Sequence, residues 1–136
     1  MLKRVATVDI VEIDTETVEV DNSFPGAYAF YIKLSGKPEP RWVRIFNFEW
    51  ERSVYLMKRE IRVVGDRLRL ISGADDNIQK HVDFAKTLVK RTNRRVEEDN
   101  RRIALVEQRM RGKGEALEKE KEEIRRRLKE ISLESE

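Results

Sequence analysis

Cysteine is absent, histidine occurs once and proline three times in this chain of 136 residues. Without cysteine there are no disulfides, no thiolate zinc sites and no cysteine nucleophile. One histidine, His81, cannot build a histidine-rich metal centre, and no glycine-rich phosphate loop is present. No run approaches the roughly 18 apolar residues of a membrane span. The opening Met1-Leu2-Lys3-Arg4-Val5 starts like a signal peptide, but Asp9 and Glu12 interrupt it before a hydrophobic stretch forms. The expectations are a cytoplasmic chain, no membrane association, no metal and no cofactor.

Charge is abundant instead. Charged residues make up 40% of the chain, against about 25% in ordinary soluble domains. The net charge is only +3, from 29 basic and 26 acidic residues, but it is unevenly spread. Residues 1–21 carry two basic and six acidic side chains (−4), and residues 33–69 carry ten and five (+5). Residues 75–113 carry eleven and seven (+4), and residues 115–136 carry six and eight (−2). A basic middle between acidic ends attracts an acidic partner or complements its own ends in a dimer. The Lys, Glu and Arg content also fits a heat-adapted protein.

Val5 to Ile13 and Thr15 to Val20, rich in β-branched residues, read as two strands. Tyr28, Phe30, Ile32 and Leu34 alternate with Ala29, Tyr31 and Lys33, predicting a third strand with the first set facing the core. Trp42, Phe46, Trp50 and Val54 then recur every four residues, with Ile45 and Met57 in support. That pattern, opened by Pro40, predicts a helix from about Arg41 to Met57. The even parity of Trp42, Phe46, Phe48 and Trp50 also suits a strand, but Arg44 and Asn47 spoil that alternation. Ile61 and Val63, then Leu68 and Leu70, flank Gly65-Asp66 as a two-residue hairpin. Ser72 and Asp75 resemble a capping box for a long helix over residues 75–110.

That helix is the most informative segment. Ile78, Val82, Ala85, Val89, Thr92, Val96, Ile103, Val106 and Met110 return at steps of three, four or seven. This is a heptad stripe that asks for a partner. Its 36 residues span roughly 54 Å, whereas 74 preceding residues fold to about 30 Å, so the helix overhangs its domain. Arg111-Gly112-Lys113-Gly114 is expected to break it, and Leu117, Ile124, Leu128 and Ile131 read as a new stripe in a changed phase on a helix over residues 115–134. The fold class expected is α+β: a small antiparallel sheet with a helix on one face, then a coiled-coil-like helix and a short second helix. The domains expected are a sheet domain over residues 1–74 and a helical arm over residues 75–136.

Each candidate site has a plainer account. His81 near Asp76 and Asp83 suggests acid–base chemistry, but positions two apart on a helix face different ways and no nucleophile is supplied, so a histidine bordering the apolar stripe is preferred. Asp9, Glu12, Asp14, Glu16, Glu19 and Asp21 could hold Mg²⁺ or Ca²⁺, but the spacing lacks the EF-hand pattern, and a solvated strand face is preferred. Trp42, Phe46, Phe48 and Trp50, among Arg41, Arg44 and Arg52, suit either stacked single-stranded nucleic acid or, preferably, a buried core. Arg95, Arg102 and Arg109 recur every seven residues immediately before the stripe, where charges select a partner helix; in a parallel dimer Arg102 reaches the partner's Glu107. Asp99 falls at a core position and marks where packing on the sheet hands over to the arm.

Taken together these features describe a non-enzymatic assembly protein. It would form a dimer or tetramer, or bind another protein, through Val82, Val89, Val96, Ile103, Val106 and Met110. The alternative is a nucleic-acid-binding accessory protein using Arg91, Arg95, Arg102, Arg109, Trp42 and Trp50.

Overall fold

A computed structural model describes residues 3–54 and 58–131. Its elements are β1 (Ile10–Val20), β2 (Ala27–Leu34), α1 (Pro40–Arg52), β3 (Ile61–Val64), β4 (Arg67–Gly73) and α2 (Ile78–Glu130). The fold is α+β, with one antiparallel sheet in the order β1-β2-β4-β3. Two compact units divide the chain: Lys3–Asn100, and the helical segment from Arg101 onward.

In the first unit β2 and β4 are the central strands, and an apolar cluster lies on each of their faces. Phe30, Ile32 and Leu34 pair beside Leu68 and Leu70 on one face, and share a core with Trp42 and Phe46 of α1 and Val82, Ala85, Leu88, Val89 and Val96 of α2. The opposite face carries the smaller cluster of Ala27, Ala29 and Ile71 under Phe24. Tyr28, expected in the core, is 40% exposed at the start of β2. Each large apolar side chain buried here contributes about 1.5–3 kcal/mol.

Several boundaries differ from those expected. The two strands foreseen in residues 5–20 are one strand with two irregularities, the larger one after Asp14. Asp14 pairs with Tyr31 and Val18 with Phe30, so Thr15, Glu16 and Thr17 lie outside the ladder. Asp14 holds this bulge by accepting from Glu16 N (2.9 Å) and Thr17 N (3.2 Å), the local bonding for which Asp is suited. Those bonds hold its carboxyl below the usual range, the Glu16 amide acting most strongly. Residues 5–9 are not strand; they are tied to α2.

Helix α1 ends at Arg52, not Met57, and Met57 lies outside the described residues. Ser53 stops it, donating its backbone N–H and its Oγ–H to the carbonyl of Glu49, while Lys58 Nζ donates to the carbonyl of Trp50 at 3.0 Å. A cation there also suits the negative end of the helix dipole. The β3–β4 turn places Gly65 at φ +61°, a backbone conformation that favours glycine.

Helix α2 starts at Ile78, not residue 75, because the cap is Asn77: its Oδ1 accepts from Lys80 N at 3.3 Å. Ser72 belongs to β4. The break expected at 111–114 is absent, and α2 runs unbroken to Glu130. Glycine in an exposed helix costs about 1 kcal/mol, which weakens but does not end it, and no proline follows. The short second helix is therefore the end of the first. The row also keeps its phase: Val82, Val89, Val96, Ile103, Met110, Leu117, Ile124 and Ile131 are spaced by seven throughout.

Candidate functional site

The row of α2 divides between the two units. Val82, Val89 and Val96 are buried in the core of the sheet unit. The sheet occupies the face expected to meet a partner helix, so these three positions drop out of the interface foreseen from the sequence. Residues 78–100 share one core with residues of the expected first domain, across the boundary placed at 74/75. Ile103 is also buried. The rest stand open: Val106 53%, Met110 69%, Leu117 52%, Ile124 55%, Leu128 61% and Ile131 60% exposed. Six large apolar side chains at this exposure, five on α2 and Ile131 just past its end, exceed the scattered surface leucines of ordinary proteins.

The charges beside this row lie in solvent. Glu118 pairs with Lys121, Glu122 with Arg125, Glu123 with Arg126 and Arg127, and Arg126 with Glu130. Exposed pairs three or four apart stabilise a helix by only about 0.2–0.5 kcal/mol each, so they exchange partners cheaply.

Where the sheet unit ends, polar side chains do work that the periodicity did not reveal. Asn93 Oδ1 accepts from Val8 N (3.1 Å) and from the indole of Trp42 (2.8 Å), while Asn93 Nδ2 donates to Val8 O (2.8 Å). One heptad on, Asn100 repeats the pairing with Val5, accepting from its N–H at 2.9 Å and donating to its carbonyl at 2.8 Å. Each amide thus mimics a neighbouring strand for residues 5–8. The seven-residue spacing of Asn93 and Asn100 was the available signal. Asp99 pairs with Arg41 at 2.9 Å, and the unit closes at Asn100.

The aromatic and basic surface proposed for nucleic acid is largely occupied. Trp42 is fully buried and stacks on Phe46, ring centroids 5.4 Å apart. Trp50 is half-buried, donates to Arg59 O, and carries Lys58 Nζ 4.0 Å above its ring. Arg95 binds the buried Glu49 at 3.1 Å and covers the exposed Phe48. Arg91 reaches Ser53 Oγ at 3.4 Å, and Arg102 and Arg109 are exposed on the arm.

His81 is buried rather than bordering the stripe, and its partner is Asp76: Nε2 lies 2.9 Å from Asp76 Oδ2. The same carboxylate accepts from Arg59 Nε at 2.8 Å and from Gly73 N at 2.9 Å. Arg59 first, then the Gly73 amide and His81, hold the Asp76 carboxyl far below the usual range. The cluster ties the loop before α2 to Arg59 and to the helix's first turn. It borders a depression of about 660 Å³ lined also by Ser53, Lys80, Asp83 and Arg91.

Of the acidic residues in and beside β1, Glu19 and Asp21 are engaged within the sheet. Asp21 binds Ser23 and Arg69, and its carboxyl falls to about 2 through the Ser23 bonds and then Arg69. Glu19 accepts from the hydroxyl of Tyr31. Among the described residues no group of three or more His, Asp or Glu is placed to hold a metal ion. Nor, among them, is any helix long and apolar enough to cross a membrane. No protein-family model, curated protein or solved structure matches the chain.

Proposed function

We propose that this protein is a non-enzymatic assembly module that self-associates through the arm of α2. One observation carries the reading. The helix runs unbroken through its two glycines and presents Val106, Met110, Leu117, Ile124 and Leu128 to solvent, with Ile131 exposed just past its end; four of the six are spaced by seven. Such a row gains free energy only by meeting another apolar surface, and a helix with the same repeat supplies one. The sheet unit then serves as the carried domain, its core already complete.

The nucleic-acid reading has less in its favour. Trp42 offers no face for stacking, Trp50 is already covered by Lys58, and Arg95 is committed to Glu49. Salt-dependent oligonucleotide binding would rest on Arg91 and the arm's arginines.

Light scattering during size exclusion tests the assembly reading. A mass of twice 16.2 kDa or a higher multiple is expected. The double variant Leu117→Asp, Ile124→Asp is expected at the monomer mass with an unchanged thermal transition of the sheet unit. A monomeric wild type over the micromolar range would overturn the reading.

A further inference from the structure

The self-association above leaves open which way the partner runs, and the side-chain charges decide it. Resting on that reading, we propose that the arm pairs with a second copy of itself, antiparallel, in the register centred on Glu115.

Take Ile103, Met110, Leu117, Ile124 and Ile131 as the central row. The positions just before each are Arg102, Arg109, Ala116, Glu123 and Glu130. This series changes sign about Ala116, with arginines before it and glutamates after. On the other flank, four residues past each row position, stand Glu107, Gly114, Lys121 and Leu128. This second series changes sign about Gly114, in the opposite sense. In an antiparallel helix pair each flanking series faces its own copy reversed. A series that reverses sign about its centre is therefore complementary to itself.

One register satisfies both series together. Arg102 meets the partner's Glu130, Arg109 meets the partner's Glu123, and Glu107 meets the partner's Lys121. Symmetry repeats each pair, and Gly114 and Ala116 each meet their own copy at the axis, where small side chains let two helices approach. The geometry of antiparallel packing fixes the offset between the two flanks, and the two sign changes were free to disagree with it. They agree. Moving the register by one heptad loses all three pairs and forms one other in their place, Arg109 with the partner's Glu130 in one direction or Arg102 with the partner's Glu123 in the other. A parallel dimer also forms one, Arg102 with the partner's Glu107.

The seam between these flanks is thin. In this register Val106 lies opposite the partner's Ile124, and the aliphatic stem of Lys113 lies along the partner's Leu117. Ile103, already buried, stands at the end of the seam opposite the partner's Arg127. Lys113, Glu120 and Arg127 take the remaining inward positions. With so little apolar surface to set orientation, charge pairing selects it, which is where electrostatic complementarity acts most strongly. A strict seven-residue row drifts about 20° per heptad on a straight helix, so the pair is wound left-handed.

Because the chain has no cysteine, single spin labels test this on the full chain. Arg101→Cys, Glu115→Cys and Lys129→Cys all lie on the outer face of the arm, opposite the row. In the proposed dimer the labels at 101 and at 129 give equal distances, each with an axial separation of about 42 Å from 28 residues at 1.5 Å. The label at 115 gives the shortest distance of the three. Similar short distances at all three positions mean a parallel pair, and unequal distances at 101 and 129 mean another register. Either result overturns this inference while leaving self-association standing. A monomer without dipolar coupling overturns the self-association itself. Charge reversal gives a second readout: Arg102→Glu with Arg109→Glu shifts the mass towards monomer, and adding Glu123→Arg with Glu130→Arg restores the dimer. Failure of that restoration in a helical, soluble variant also overturns the register.

Discussion

At Asn93 one amide satisfies three groups at once: both backbone groups of Val8 and the indole of the fully buried Trp42. Replacing it strands them, and a buried unsatisfied donor costs about 1–3 kcal/mol. Asn93→Ala is expected to lower the unfolding free energy by about 2–3 kcal/mol in urea titration, and a loss under 0.5 kcal/mol would refute the clamp. Asp76 is the second focus. Its carboxyl is depressed, so the stability it contributes is complete above its ordinary value of 3.8 and is lost as pH falls through the lower folded value. Asp76→Asn is therefore expected to be less stable than wild type at neutral pH. The gap should narrow as pH is lowered from about 5 to 2. A constant gap across thermal melts in that range would mean that the hydrogen bonds, not the charge, carry the effect. Close packing reinforces the cluster, since a Cβ on Gly73 would stand 2.9 Å from Asp76 Oδ1.

The element with two roles is α2. Up to Val96 its row packs in the core of the sheet unit, Ile103 is still buried, and from Val106 onward the same spacing faces solvent. The row looks uniform because both tasks call for an apolar residue every seven positions. Substitution separates them. Val96→Asp buries a carboxylate in the core and is expected to cost about 3–5 kcal/mol, as loss of the folded baseline in circular dichroism. Leu117→Asp changes a half-exposed position and leaves that baseline intact. If Val96→Asp folded normally and only lost mass, the assignment of that half to the core would fail. The unbroken passage through Gly112 and Gly114 follows the same logic, since two exposed glycines lower helix propensity without removing a backbone donor.

Across the whole molecule, the division of labour was harder to read than the parts. The sheet, the hairpin at Gly65 and the helix opened by Pro40 were legible because alternation, turn chemistry and four-residue spacing are local properties. The joining of residues 10–20 into one strand was not, because a bulge at Asp14 looks like a turn until a partner strand is in place. His81 looked peripheral because Arg59, the strongest influence on its partner Asp76, is 17 residues away in sequence. The seam foreseen from Val82 to Met110 mixed two surfaces, since a heptad row states that a face is covered without stating by what. Sequence by itself determined that this chain is α+β, that it carries a long amphipathic helix, and that sign-reversing charges flank the last half of that helix. Only the tertiary structure decided where that helix stops being core. The reason is physical: periodicity records which side chains leave water, whereas the choice between a sheet and another helix depends on non-local packing.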